Sequence, residues 1–124
     1  MVEVSVRKRL TRVESRAQTR ERLLEAAFSI FARDGVEAAS IEEIAEAAGY
    51  SRGAFYSNFN SKDELLLLLL DRKLEQSKKN IAAILAGDLS TRQIIERIRE
   101  YYVHLASDGE HCTFMLGVQL YSLQ

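Results

Sequence analysis

Hydrophobic residues recur at spacings of three and four along most of the chain, so the pattern reads as one helix after another. Leu23, Leu24, Ala27, Phe28, Ile30 and Phe31 form a wide apolar stripe, with Arg20, Arg22 and Glu25 facing outward. This predicts a first helix from near Ser15 or Thr19 to Asp34, closed by Gly35. Leu65–Leu70 is apolar all round and predicts a long helix from Lys62 to about Leu85, buried on several sides at its start. A further helix begins at Ser90 or Thr91 and turns Ile94, Ile95, Ile98, Tyr101, Tyr102 and Leu105 inward. After a turn at Asp108-Gly109, a last one runs from Glu110 and carries Phe114, Met115, Val118, Leu120 and Tyr121. No stretch alternates as a strand hairpin would, and there is no proline. The fold class is all-α.

Between the first and the long helix lies Ser40–Lys62, which reads as two short helices joined by a tight turn. Ser40 with Glu43 fits a capping box, and Ile41, Ile44, Ala45 and Ala48 share one face. Gly49 falls where a left-handed residue closes a helix, and Tyr50-Ser51 completes a connection of helix-turn-helix length. Ser51 caps the next helix, whose Phe55 and Phe59 point inward while Arg52 and Tyr56 fall on another face. Ser61 with Glu64 repeats the capping box. A short helix with Arg, Tyr, Ser and Asn on its outer side suits a polar partner, and a DNA groove is the leading candidate.

Composition sharpens this only locally. The net charge of −1 does not announce a nucleic-acid binder. Residues 7–22, however, hold seven basic side chains against two acidic, a local +5, whereas residues 63–124 hold seven against nine, −2. A basic end ahead of a helix-turn-helix suits phosphate contact. Residues 1–14 lack periodicity and read as a flexible basic arm, either a solvated tail or one that orders on DNA. The single Cys112 excludes an internal disulfide, and no apolar leader follows the basic start, which points to the cytoplasm. Six leucines fall far short of the ~20 apolar residues of a membrane span. His104, His111 and Cys112 do not converge with a fourth ligand, so no metal is expected. There is no nucleophile motif, phosphate loop or paired-acid arrangement, and neither an enzyme nor a cofactor is expected.

The run Thr19–Leu66 resembles the amino-terminal domain of the tetracycline-repressor (TetR) family of bacterial transcription regulators. The matching residues are the first helix to Gly35, Ser40-Ile41-x-x-Ile44-Ala45, Ala48-Gly49-Tyr50-Ser51-x-Gly53, Phe55-Tyr56-x-x-Phe59 and Ser61-Lys62-x-x-Leu65. The chain departs from the family at Asn58, where many members carry His, and at Glu42, where some carry Arg. Both departures bear on the bases read rather than on the fold.

The resemblance implies a homeodomain-like three-helix head over residues 15–62. A long linking helix and part of an α-helical ligand-binding and dimerisation domain follow over residues 63–124. Family members are usually longer, so the chain looks truncated. The resemblance places Thr19, Ser40, Ser51, Arg52, Gly53, Ala54, Tyr56, Ser57, Asn58 and Lys62 at DNA. Ser40 is either a plain cap or a cap that also meets a phosphate at the helix end. Tyr56 is either a half-buried ring or a phosphate donor. Lys62 either grips a phosphate or is solvated. Gly53, costing ~1 kcal/mol in a helix, admits either DNA or helix one close by. Base readout then falls to Arg52, Ala54, Ser57 and Asn58.

The implied partners are double-stranded DNA with a palindromic operator, a second copy in a homodimer and a small-molecule effector, with no membrane. Tyr101, Tyr102, His104, Phe114 and Met115 are candidate effector-lining residues, with ordinary core roles as the alternative. The expected function is a DNA-binding regulator, usually a repressor, released by its effector. A protein-interaction module with an inert helix-turn-helix is the second reading.

Overall fold

The computed structural model describes residues 9–124, which contain helices α1 (Arg12–Asp34), α2 (Ile41–Ala48), α3 (Arg52–Asn58), α4 (Lys62–Ala86), α5 (Thr91–Ala106) and α6 (Gly109–Ser122). Among the described residues there is no strand.

α1 begins earlier than its apolar stripe indicates. The Thr11 hydroxyl accepts from the Glu14 amide at 3.1 Å, and the Glu14 carboxylate accepts from the Thr11 amide at 3.3 Å, a complete capping box. The first turns are exposed, so no periodicity marks them and the cap alone sets the start. Residues 12–14 are therefore helix rather than arm. Residues 9–11 of the expected arm precede the helix and are exposed, and residues 1–8 lie outside the described residues. α6 also starts one residue early, with Gly109 inside the helix and Asp108 capping the His111 amide at 3.1 Å.

α1 is the central element and packs on α2, α3, α4 and α6. Its Leu23, Ala27 and Phe31 join Val36, Ile44, Phe55, Phe59, Leu65 and Phe114 in one continuous core. Burying each large apolar side chain contributes roughly 1.5–3 kcal/mol. Phe114 reaches this core from α6 and meets Phe28 at 5.0 Å between ring centroids. Next to it, Tyr121 of α6 donates its phenol to the Asp63 carboxylate in the first turn of α4. On the opposite flank, Arg72 of α4 makes a two-pronged pair with Glu21 of α1, at 2.6 and 2.8 Å. That pairing holds the Glu21 carboxylate below its ordinary range.

Two packing expectations need correction. Leu65, Leu66 and Leu69 are buried, but Leu67, half a turn away, is 66 % exposed. α5 packs mainly on α4 and α6, and none of its residues is fully buried. Ile94, Ile98, Tyr101 and Leu105 are half-buried at helical spacing, whereas Ile95 and Tyr102 face outward.

Phe114 should therefore behave as a residue of the core around α1. Phe114→Ala should cost ~3–5 kcal/mol of unfolding free energy in urea, while Leu116→Ala, two residues on and exposed, should stay within ~0.5 kcal/mol.

Candidate nucleic-acid interface

The interface is built outward from two short helices and their caps. Ser40 accepts from the Glu43 amide at 3.1 Å and opens α2. The Glu43 carboxylate meets the Ser40 hydroxyl at 3.3 Å instead of the Ser40 amide, so the reciprocal half of the box is missing. In the same way, the Glu64 carboxylate accepts from Asn60, one residue before its expected partner Ser61. Gly49 closes α2 at φ 84°, with the Tyr50 amide donating back to Ala45 at 2.8 Å. That left-handed conformation is why a residue with a β-carbon would be strained there. Ser51 then caps α3 through the Ala54 amide at 3.2 Å.

α3 is fixed by its inner face and by its end. Phe55 and Phe59 are buried and touch each other, with centroids 5.6 Å apart. The last carbonyls of α3 receive arginines from α1. Arg20 donates to the Asn58 carbonyl at 2.6 Å and lies 4.5 Å above the Phe59 ring, and Arg16 reaches the Ser57 carbonyl at 3.3 Å. Cations at a helix carboxyl end complement its dipole and satisfy orphan carbonyls. Arg20 was expected to be a solvated outer residue. The four-residue spacing Arg12, Arg16, Arg20 was the available signal, since it lines one face of α1.

The opposite side of α3 is open. Arg52, Gly53, Tyr56 and Ser57 are exposed, and a methyl group added at Gly53 would meet only the Ser51 hydroxyl, at 3.7 Å. Close packing of Gly53 on α1 is thereby ruled out. Tyr56 is 44 % exposed and stands edge-on to Phe55. The Arg52 guanidinium lies 5.4 Å from the Tyr56 ring centre and pairs with Glu42 of α2 at 2.9 Å.

Several of the expected contact residues are engaged locally. Asn58 turns its amide back to the Ala54 carbonyl at 2.8 Å, and Ser57 donates to the same carbonyl at 3.1 Å. Ala54 is half-buried and lines, with Arg12, Arg16, Thr19 and Tyr50, a groove between α1 and α3. Thr19 donates to the Ser15 carbonyl at 2.9 Å. Its hydroxyl, together with Arg22, lowers the pKa of the Tyr50 phenol. Lys62 donates to the carbonyls of Ala39 at 3.1 Å and Glu37 at 3.3 Å, clipping α4 to the connection ahead of α2.

The five candidates in the second half are divided. Phe114 is a core ring, and Met115 packs against the core. Tyr101 donates to the Ser77 hydroxyl at 3.0 Å, whereas Tyr102 and His104 are exposed. Burial and the nearby Lys73 hold His111 toward its neutral form. Among the described residues no three His, Cys, Asp or Glu side chains cluster to hold a metal. None of the helices there is long and apolar enough to cross a membrane.

Residues 23–69, from the α1 stripe to the start of α4, match the family model of bacterial regulatory proteins, tetR family. Over this stretch the chain is similar to the tetR family. It is 31 % identical over 102 residues to the HTH-type transcriptional regulator YwcC of Bacillus subtilis, spanning 74 % of this chain and 46 % of that protein. It is 33 % identical over 95 residues to the nicotine-responsive transcriptional repressor HdnoR of Paenarthrobacter nicotinovorans, spanning 76 % and 49 %. The chain thus spans about half the length of these curated relatives. The solved fatty acid degradation regulator FadR of Bacillus halodurans shares the fold at a TM-score of 0.69 and 21 % identity, over 87 % of this chain and 55 % of that one.

The anchoring of α3 by α1 is directly testable. Arg20→Ala removes a charge-assisted hydrogen bond and a stack on a buried ring, and should cost ~1–3 kcal/mol in urea unfolding. Arg9→Ala, on the exposed chain ahead of α1, should stay within ~0.5 kcal/mol.

Proposed function

We propose that the chain is a sequence-specific DNA-binding transcriptional regulator, a repressor released from a palindromic operator by a small-molecule effector. The observation that carries this reading is the outer face of α3. A seven-residue helix held rigidly from behind presents Arg52, Gly53 and Tyr56 to solvent, with basic residues of α1 alongside. Such a helix fits the major groove, and Arg52 offers the fork that pairs with guanine. Ser40, Ser51, Tyr56 and Lys62 surround it as backbone contacts, with Thr19, Ala54, Ser57 and Asn58 on the α1 side. Lys62 keeps one ammonium proton for a phosphate beyond the two it gives to carbonyls.

In this reading residues up to Lys62 act as the head and residues 63–124 as the start of a regulatory body. Two copies would place their α3 helices in successive major grooves, about 34–36 Å apart. The nicotine-responsive relative supports control by a small molecule. Tyr101, Tyr102, His104 and Met115 are the effector contacts we favour, while Phe114 would reach an effector only if α6 shifted off the core. Regulation by binding needs no catalytic group, cofactor or membrane, and the protein would act on chromosomal DNA in the cytoplasm.

Fluorescence anisotropy with a labelled duplex pool, titrated at several salt concentrations, tests this. Affinity should fall linearly in log–log form, with a slope of about −0.9 per phosphate neutralised. Tyr56→Phe and Lys62→Ala should weaken all sequences similarly, Lys62→Ala also lowering the slope by about one. Arg52→Ala should instead lose roughly ten- to hundred-fold at one base pair. Salt-independent binding, or none, would contradict the proposal.

A further inference from the structure

We propose that Glu42 is a specificity-determining residue, one that positions Arg52 and thereby sets which base α3 reads. This rests on the DNA-binding reading above and goes beyond it. Arg52 opens α3, and Glu42 lies in the first turn of α2, across the turn that joins the two helices. The Arg52 guanidinium has two neighbours. Its Nη1 edge meets the Glu42 carboxylate at 2.9 Å, and the group lies 5.4 Å from the centre of the Tyr56 ring. A guanidinium is planar and carries five donors in a fixed fork. With Nη1 taken by a carboxylate and the Tyr56 side chain beside the group, the donors left over are what the groove meets.

Two consequences follow from elementary electrostatics. First, an arginine on a flexible stem pairs with any phosphate in reach, which adds affinity without information. Held by Glu42, Arg52 is offered in one orientation, and guanine O6 and N7 match its free edge while a lone phosphate oxygen does not. Second, both partners are exposed, with side-chain exposures of 62 % for Arg52 and 57 % for Glu42, so the pair itself adds little to folding. Its role lies in orientation. Glu42 also sets a negative charge near the DNA-facing edge, where it disfavours non-specific approach of phosphates. Glu43, in the same turn, does not share this role, because its carboxylate is directed to Ser40 and Arg33.

The test uses the whole 124-residue chain and a random-sequence duplex library. The most enriched duplex and its single base-pair variants are then titrated against wild type, Glu42→Gln, Arg52→Ala, Arg52→Lys and the double variant Glu42→Gln/Arg52→Ala. Wild type should prefer guanine at one position by roughly ten- to hundred-fold. Glu42→Gln should cut that ratio at least about fivefold, and raise affinity for a scrambled duplex about two- to fivefold at low salt. Arg52→Lys, which keeps the charge but not the fork, should lose the same preference. In the Arg52→Ala background, Glu42→Gln should change preference by less than about twofold, since its partner is gone. If Glu42→Gln keeps the wild-type guanine preference, or lowers it equally without Arg52, the proposal is overturned. A wild-type chain that enriches no sequence would instead overturn the DNA-binding reading, and this inference with it.

Discussion

A helix of seven residues does not persist in water by itself, because nucleation costs more than so few backbone hydrogen bonds return. α3 is such a helix, and much of the structure serves to hold it. Its two phenylalanines insert into the core that α1 organises. Its amino end is capped by Ser51 and its carboxyl end by Arg16 and Arg20. The left-handed Gly49 fixes the angle at which it leaves α2. Anchored from three directions, α3 leaves Arg52, Gly53 and Tyr56 exposed on its outer face. That exposure is the physical basis on which the proposed function gives Arg52, Gly53 and Tyr56 to recognition.

Contacts along α4 join the first three helices to the second half of the chain. Lys62 clips the connection ahead of α2, Asp63 receives the Tyr121 phenol from α6, and Arg72 grips Glu21. The hydrogen bond it donates to Asp63 holds the Tyr121 phenol above its ordinary pKa, since ionising it would remove the donated proton and leave two negative charges together. Apart from Phe114 and its neighbours, the outer helices share little of the core. Leu74 and Leu85 of α4 and Ile95 and Val103 of α5 remain largely exposed. Packing is thus dense around α1 and thin around α5.

Wherever one physical signal dominated, the sequence was legible. Capping serines, the closing glycine and the helical spacing of Phe55 and Phe59 each have a local cause, and each appears where expected. The start of α1 was not legible from periodicity, because an exposed helix end carries only its cap. The inward turn of Ile95 and Tyr102 was misread, because a stripe predicts burial only if something lies opposite. The local use of Asn58 and Lys62 was also hidden. Polar side chains choose among nearby carbonyls that are assembled only by the tertiary fold, and spacing in sequence does not specify them.

Hydrogen–deuterium exchange of the chain, alone and with a selected duplex, tests the central claim most directly. The account predicts added protection at α3, at the Ser40 and Ser51 caps and at the first turn of α4, with α5 unchanged. Protection confined to α5 and α6, or absent although the duplex is bound, would contradict it.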